Sequence, residues 1–321
     1  MKKLILLGIV SFGLMLTGCG GGGSADTASG SSVEPTSTIT KKNAEPVTKS
    51  SFYTVGGISE MDFQSVVYGL RSVSTQRSSV LDELQREFGI IYSFIDKHDL
   101  RRSIEKREKG TVECDRGGSY SYDTTEESGG SVVFHSCKFS LDDNNIYTAE
   151  GKVDFAISND LLDSITFDGY KVSVEGYGTT YIQKAKVEYK DYDEYGNPGE
   201  IDIMNMSGYM KILPYNDYAN IPEGTYRFSD LTYKTIGLNS TVVKFDADGM
   251  ISAPQTDGWV KISMPVSITM EDNNDCPVAG DLDVEGAEGK TKLKFNADGS
   301  AELYFDGDLL KSYDTCGGIL E

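Results

Sequence analysis

Between Trp259 and Met270 the chain alternates almost without fault. Val260, Ile262, Met264, Val266, Ile268 and Met270 fall on one side, and Lys261, Ser263, Ser267 and Thr269 on the other. Period two is the signature of a strand with one buried and one wet face. The buried face has to be covered by another layer. Pro265 lies in this strand and has no N–H to give a ladder, so the strand is expected at a sheet edge or bulged at that point. The same texture continues from Gly110 onward. Further strands are expected at 119–123, 131–139, 147–158, 162–168, 170–176, 179–190, 200–213, 225–235, 240–246, 281–286, 290–296, 300–306 and 309–314. Asp168-Gly169, Gly196-Asn197, Asp248-Gly249 and Asp298-Gly299 have the chemistry of antiparallel hairpin turns. So many strands without helical crossovers exclude a parallel α/β sheet. The expected fold is mainly β (α+β): a large twisted antiparallel sheet over 110–321, curled as a half-barrel or folded back as a sandwich, with an N-terminal helical pair.

The helical pair is expected within 51–109, packed on the sheet. Ser59 with Asp62 three residues on forms a capping-box variant, and Met61, Phe63, Val66, Val67 and Leu70 follow as a short amphipathic stripe. Val80, Leu84, Phe88, Ile91 and Ile95 recur at helical steps and mark a second buried stripe. Lys97, Arg101, Arg102, Lys106, Arg107 and Lys109 form a basic cluster, which reads as a solvated helix end or a contact for acidic groups.

The first eighteen residues have a different logic. Met1-Lys2-Lys3 is a positive start, and Leu4 to Leu16 is an almost wholly apolar run. At ~1.5 Å of helical rise per residue that run spans ~20 Å, short of the ~30 Å hydrocarbon core of a bilayer. It therefore reads as an export signal. It closes on Leu16-Thr17-Gly18-Cys19, which resembles the lipobox of bacterial lipoproteins. The resemblance implies that residues 1–18 are removed and that Cys19 carries a diacylglycerol thioether and an acylated amino group. Two or more acyl chains would make membrane attachment effectively permanent. Residues 19–50, rich in Gly, Ser and Thr, are expected to be a lipidated flexible tether with a mean reach of ~30 Å. Gly20 rather than Asp follows the cysteine, which in such lipoproteins implies the outer membrane if the source is Gram-negative.

Cys114, Cys137, Cys276 and Cys316 remain after Cys19. An even number in an exported chain predicts two disulfides, with three pairings possible. Cys114–Cys137 and Cys276–Cys316 are favoured because each pair flanks one local block of strands. A metal site from Cys114, Cys137 and His135 lacks a close Cys-x-x-Cys pair and would sit in an oxidising compartment, and no metal is expected.

The formal charge is −20, and without Lys2 and Lys3 it becomes −22 (28 basic against 50 acidic residues). Such a surface repels phosphate backbones, so no nucleic-acid partner is expected. His98 and His135 are the only histidines, and no nucleophile elbow, H-E-x-x-H or P-loop accompanies them. No catalytic residue and no cofactor are assigned. Asp191 to Asp202 partly matches a calcium loop but reads as a hairpin turn, as do Asp142–Asn145 and Asp272–Asp275. The 19 tyrosines offer broad contact area of the kind found on carbohydrate- and protein-binding surfaces. Lys244-Phe245-Asp246-Ala247-Asp248-Gly249 recurs as Lys294-Phe295-Asn296-Ala297-Asp298-Gly299, as two hairpins of like chemistry would.

The leading expectation is a lipid-anchored, non-enzymatic envelope component that is structural or binds an envelope protein, glycan or lipid. Helices covering a curved antiparallel sheet would also resemble the lipoprotein carriers and receptors of the outer-membrane sorting pathway. That resemblance implies the alternative, a carrier for a hydrophobic ligand. A hydrolase ranks last.

Overall fold

The computed structural model describes residues 33–55, 90, 91, 94, 95, 97, 98, 100, 106–126, 128–140, 146–158, 161–174, 178–190, 200–212, 223–236, 241–271 and 276–320. Alternation of the kind seen at 259–270 turns almost all of 109–313 into one antiparallel meander. The strands are β1 (Lys109–Glu113), β2 (Ser119–Asp123), β3 (Gly129–Phe139), β4 (Tyr147–Ser158), β5 (Leu161–Val174), β6 (Gly178–Lys190) and β7 (Glu200–Ile212). They continue as β8 (Gly224–Ile236), β9 (Val242–Ser252), β10 (Val260–Glu271), β11 (Ala279–Glu285), β12 (Lys290–Phe295), β13 (Ala301–Phe305) and β14 (Asp308–Tyr313). Their order in space is their order in sequence, in a single 14-stranded sheet. Every connection is therefore local, and the sheet ends in two edges, β1 and β14. It is an open sheet and not a closed barrel.

Two expected hairpin turns are not turns. Asp168-Gly169 lies inside β5, where Asp168 pairs with both Lys152 and Lys184, so the expected strands 162–168 and 170–176 are one. Asp248-Gly249 lies inside β9, between ladders to β8 and β10. Asp298-Gly299 does turn, with the Gly299 N–H donating to the Asn296 carbonyl at 3.0 Å. Gly196-Asn197 falls outside the described residues, as do Ser59, Met61, Asp62, Phe63, Val66, Val67, Leu70, Val80, Leu84 and Phe88. β1 was not expected, since Lys109 was read as the end of a basic helix.

One face of the sheet is the core. Val153, Ile165, Phe167, Val187, Leu231, Ile262, Leu282 and Leu293 are almost wholly excluded from solvent. Over β2 and β3 this face meets Phe94, and the helical residues Ile90, Ile91, Ile95 and Leu100 are buried with it. Phe94 sits 5.0 Å from Tyr120, 5.0 Å from Phe134 and 5.1 Å from Phe139 between ring centroids. Edge-on aromatic packing of this kind adds to the area that each ring buries.

Residues 33–50, expected as part of a flexible tether, are folded. Residues 33–43 dock onto the folded body, and α1 (Ala44–Val55) follows. The N–H groups of Thr36 and Ser37 donate to the Trp259 carbonyl, and the Ile39 N–H donates to Glu288 at 2.7 Å. Gly289, at φ 78°, permits this approach, because a Cβ there would lie 2.2 Å from the Ile39 carbonyl oxygen. α1 escapes a hydrophobic-pattern reading because its buried side includes Thr48, Ser50, Ser51 and Thr54. Thr48 and Thr54 donate back to the carbonyls of Ala44 and Ser50, each at 2.7 Å, so burial leaves these hydroxyls satisfied. Short side chains also let α1 sit close to β12, where the Thr48 and Thr291 hydroxyls are 2.7 Å apart. The Phe52 ring packs tilted against Phe295, with centroids 5.2 Å apart.

Both expected disulfides form, Cys114–Cys137 and Cys276–Cys316. The first ties the β1–β2 turn to β3. The second ties the approach to β11 to the helical turn Gly317–Leu320 behind β14.

Candidate binding surface

The face opposite the core is the one open to solution, and its chemistry differs along the sheet. Over β11–β13 it is self-neutralised. Lys290 and Lys292 bridge to Asp283 at 2.8 and 3.5 Å, Lys292 to Asp281 at 3.2 Å, and Lys294 to Glu302 at 3.7 Å. Burial pushes the Lys292 ammonium down, but the hydrogen bond to Asp281 and the charge of Asp283 outweigh it and hold the group above its ordinary value. Lys152 with Asp154, and Lys186 with Glu188, repeat the pattern on β4 and β6.

The ladder is broken at β10. Ser263 pairs with Asp248, and the next partners on the two strands are Ile268 and Phe245. Residues 264–267 on β10 thus stand against 246–247 on β9. The β10–β11 ladder shifts on both sides of Val266 as well. Pro265 lies within this double bulge, where its missing N–H removes no ladder bond. β10 is not an edge, so the bulge is how the strand accommodates the proline. It also overturns the expected side of one residue: Val266, placed by periodicity with the core, is 50% exposed, whereas Met264 is partly buried and packs against the core as expected.

The bulge opens a shallow groove of about 300 Å³, lined by Thr232 and Lys234 of β8, Asp246, Ala247 and Asp248 of β9, and Ser263, Met264 and Pro265 of β10. Register brings these side chains together: Lys234 faces Asp246, and Thr232 and Ser263 flank Asp248. In an antiparallel ladder alternate residues turn their main-chain groups to alternate neighbours. One of Asp246 and Ala247 therefore offers its N–H and C=O toward the bulge instead of toward a ladder partner. Carboxylates, an ammonium, two hydroxyl side chains, a thioether and a proline ring converge on one depression.

The sequence singled out neither Lys234 nor the bulge as a site. Pro265 inside an alternating strand was the available signal. Of the residues it did single out, His98 is half-buried against Phe94 and Tyr120, at ring distances of 4.3 and 5.2 Å. Burial pushes its pKa down from 6.5, and Lys97 adds to the shift. His135 is exposed on β3, with Nε2 3.2 Å from the Ser121 hydroxyl. Neither histidine shares a strand with the groove. Lys97, from the basic cluster, reaches Asp115 at 3.5 Å and donates to the Ser140 carbonyl at 3.1 Å. Most of the described tyrosines serve the core: Tyr120, Tyr147, Tyr170, Tyr226, Tyr233 and Tyr313 are buried. Tyr181 and Tyr209 instead pair on the open face, 5.3 Å apart. Among the described residues no three metal-binding side chains cluster. Cys19, Asp142–Asn145, Asp191–Asn197 and Asp272–Asp275 lie outside the described residues. Among the described residues no helix is long and apolar enough to cross a membrane. No protein family, no curated protein and no solved structure matches this chain.

Proposed function

We propose that this is a non-enzymatic component of a bacterial envelope, anchored through acyl chains on Cys19, which engages a partner through the open face of its sheet. The observation that carries the binding reading is the double bulge at Pro265, which exposes Val266 and sets Asp246, Asp248 and Lys234 around a groove. A partner suited to it is a protein segment or glycan. Its donors would meet the carboxylates, and a small apolar group would rest on Met264 and Pro265. The lipobox resemblance at Leu16-Thr17-Gly18-Cys19 supports the anchor. The carrier alternative finds less support, since Phe94, Tyr120, Phe134 and Phe139 fill the space between helix and sheet where they meet.

A photoreactive residue at Val266, introduced into the full chain in cells, tests the binding reading. The expected result is a discrete adduct that is lost when Asp248→Lys is added. No adduct, or one indifferent to that substitution, overturns the groove as the contact. Mass spectrometry of the native amino-terminal peptide tests the anchor: retention of residues 1–18, or an unmodified Cys19 sulfur, overturns it.

A further inference from the structure

The sheet has two edges, and they are built differently. At β14 the ladder to β13 slips between Leu303 and Tyr304, leaving Leu310 without an opposite residue. Lys311 on the same strand is drawn to Glu45 of α1 at 2.9 Å. A bulge and an engaged lysine are common means of blunting an edge. Among the described residues β1 shows neither device. It pairs residue for residue with β2, from Lys109 opposite Asp123 to Glu113 opposite Ser119, with no register shift. Four of its five residues are exposed, and Val112 is 39% exposed. Among the described residues β1 has no second ladder partner.

We propose that β1 is a self-association edge, and that its occupant is β1 of a second copy of this chain, paired antiparallel about a two-fold axis at Thr111. The argument is complementarity. In that register Lys109 of each copy faces Glu113 of the other, Gly110 faces Val112, and Thr111 faces itself. Opposite charges directly across an antiparallel pair stabilise it, and like charges destabilise it. Lys109 and Glu113 lie on one side of the strand because they are four residues apart, so both ion pairs form on the same face. The exposed Val112 would be covered beside Gly110 and the Tyr122 ring that lies against that glycine. A two-fold contact closes on itself, giving a dimer and no larger species. The inference does not depend on the groove at Pro265, which lies on a different part of the sheet.

Sedimentation equilibrium of the purified full chain, in density-matched detergent over a wide concentration series, tests it. The expected result is a monomer–dimer equilibrium. Lys109→Glu or Glu113→Lys alone puts like charges across the axis and should weaken association by about tenfold or more. The double swap Lys109→Glu/Glu113→Lys restores the pairs and should restore the dimer. Monomer at every concentration, or a dimer indifferent to the single swaps, overturns the proposal. So does a series of trimers and larger species, which would mark a head-to-tail contact between β1 and β14. Unchanged circular dichroism in the single variants separates lost association from lost folding.

Discussion

Lys311 on the last strand of the sheet donates to Glu45 in the first turn of α1 at 2.9 Å, across 266 residues of sequence. The contact joins the last strand of the sheet to the first described helix. Burial pushes the Glu45 carboxyl up. The hydrogen bond from Lys311, the Tyr313 hydroxyl, and the charges of Lys311 and Lys49 together outweigh burial and hold it below 4.5. A carboxyl held down in the folded state binds fewer protons than in the unfolded state, so its contribution is complete above about pH 4.5 and is lost as pH falls through the folded value. After allowance for solvent screening, Glu45→Gln should cost about 0.5–1 kcal/mol at neutral pH and flatten stability against pH below that point. Urea unfolding at neutral and acid pH checks it.

His98 carries the opposite charge and has its own pH window. Burial against Phe94 and Tyr120 lowers its pKa from 6.5, so the unfolded chain takes up the proton first as pH falls. Stability should be complete above about pH 6.5 and decline as pH falls toward the folded value. His98→Gln should remove that decline, as thermal melts between pH 7 and pH 5 would reveal.

Phe94 fills the junction of helix and sheet. It is 1% exposed and touches Tyr120, Phe134 and Phe139. Phe94→Ala should cost about 3–5 kcal/mol, the usual penalty for deleting a buried ring, and Phe94→Leu appreciably less. Denaturant midpoints of the three proteins, compared at constant slope, provide the measurement.

The disulfides close loops of different length, with sequence separations of 23 and 40. In the loop-entropy account their removal costs about 3.4 and about 3.9 kcal/mol respectively. Replacing either pair by serine should lower the unfolding free energy by amounts in that order. Non-reducing peptide maps should return Cys114 joined to Cys137 and Cys276 joined to Cys316.

Gly249 and Gly299 end the two copies of one hexapeptide motif but bear different loads. At Gly249, φ is 147° and a Cβ would lie 2.6 Å from the Leu231 Cα, backbone that cannot step aside. At Gly299, φ is 79° and a Cβ would meet nothing within 4 Å. Gly299→Ala should cost about 1–2 kcal/mol through backbone strain alone, and Gly249→Ala about 3 kcal/mol or more. A chemical denaturation series on both variants would rank them.

Strand periodicity and the placing of the cysteines are local signals, and they made the antiparallel body and both disulfides legible; turn chemistry misled at Asp168-Gly169 and Asp248-Gly249, which lie inside strands. β2 and β4 begin and end where alternation places them, at 119–123 and 147–158. α1 was not legible, because Thr48 and Thr54 are core residues only when their hydroxyls turn back on the helix and a sheet lies beneath them. The groove was half legible: Pro265 announced an irregularity, but its surroundings come from β8 and β9.

What the sequence determined by itself is that this chain builds strands with one dry face and joins them consecutively, because side-chain alternation and turn residues act over a few positions. What those strands become depends on their neighbours. Lys244 to Gly249 stays within β9 because β8 pairs with Lys244 to Asp248 on one side and β10 pairs with Lys244, Phe245, Asp248 and Gly249 on the other. The near-identical Lys294 to Gly299 leaves β12 at Phe295 and turns, because β13 must begin at Ala301. Hydrogen bonds to partners distant in sequence outweigh the small preferences of six residues, and only the assembled sheet supplies those partners.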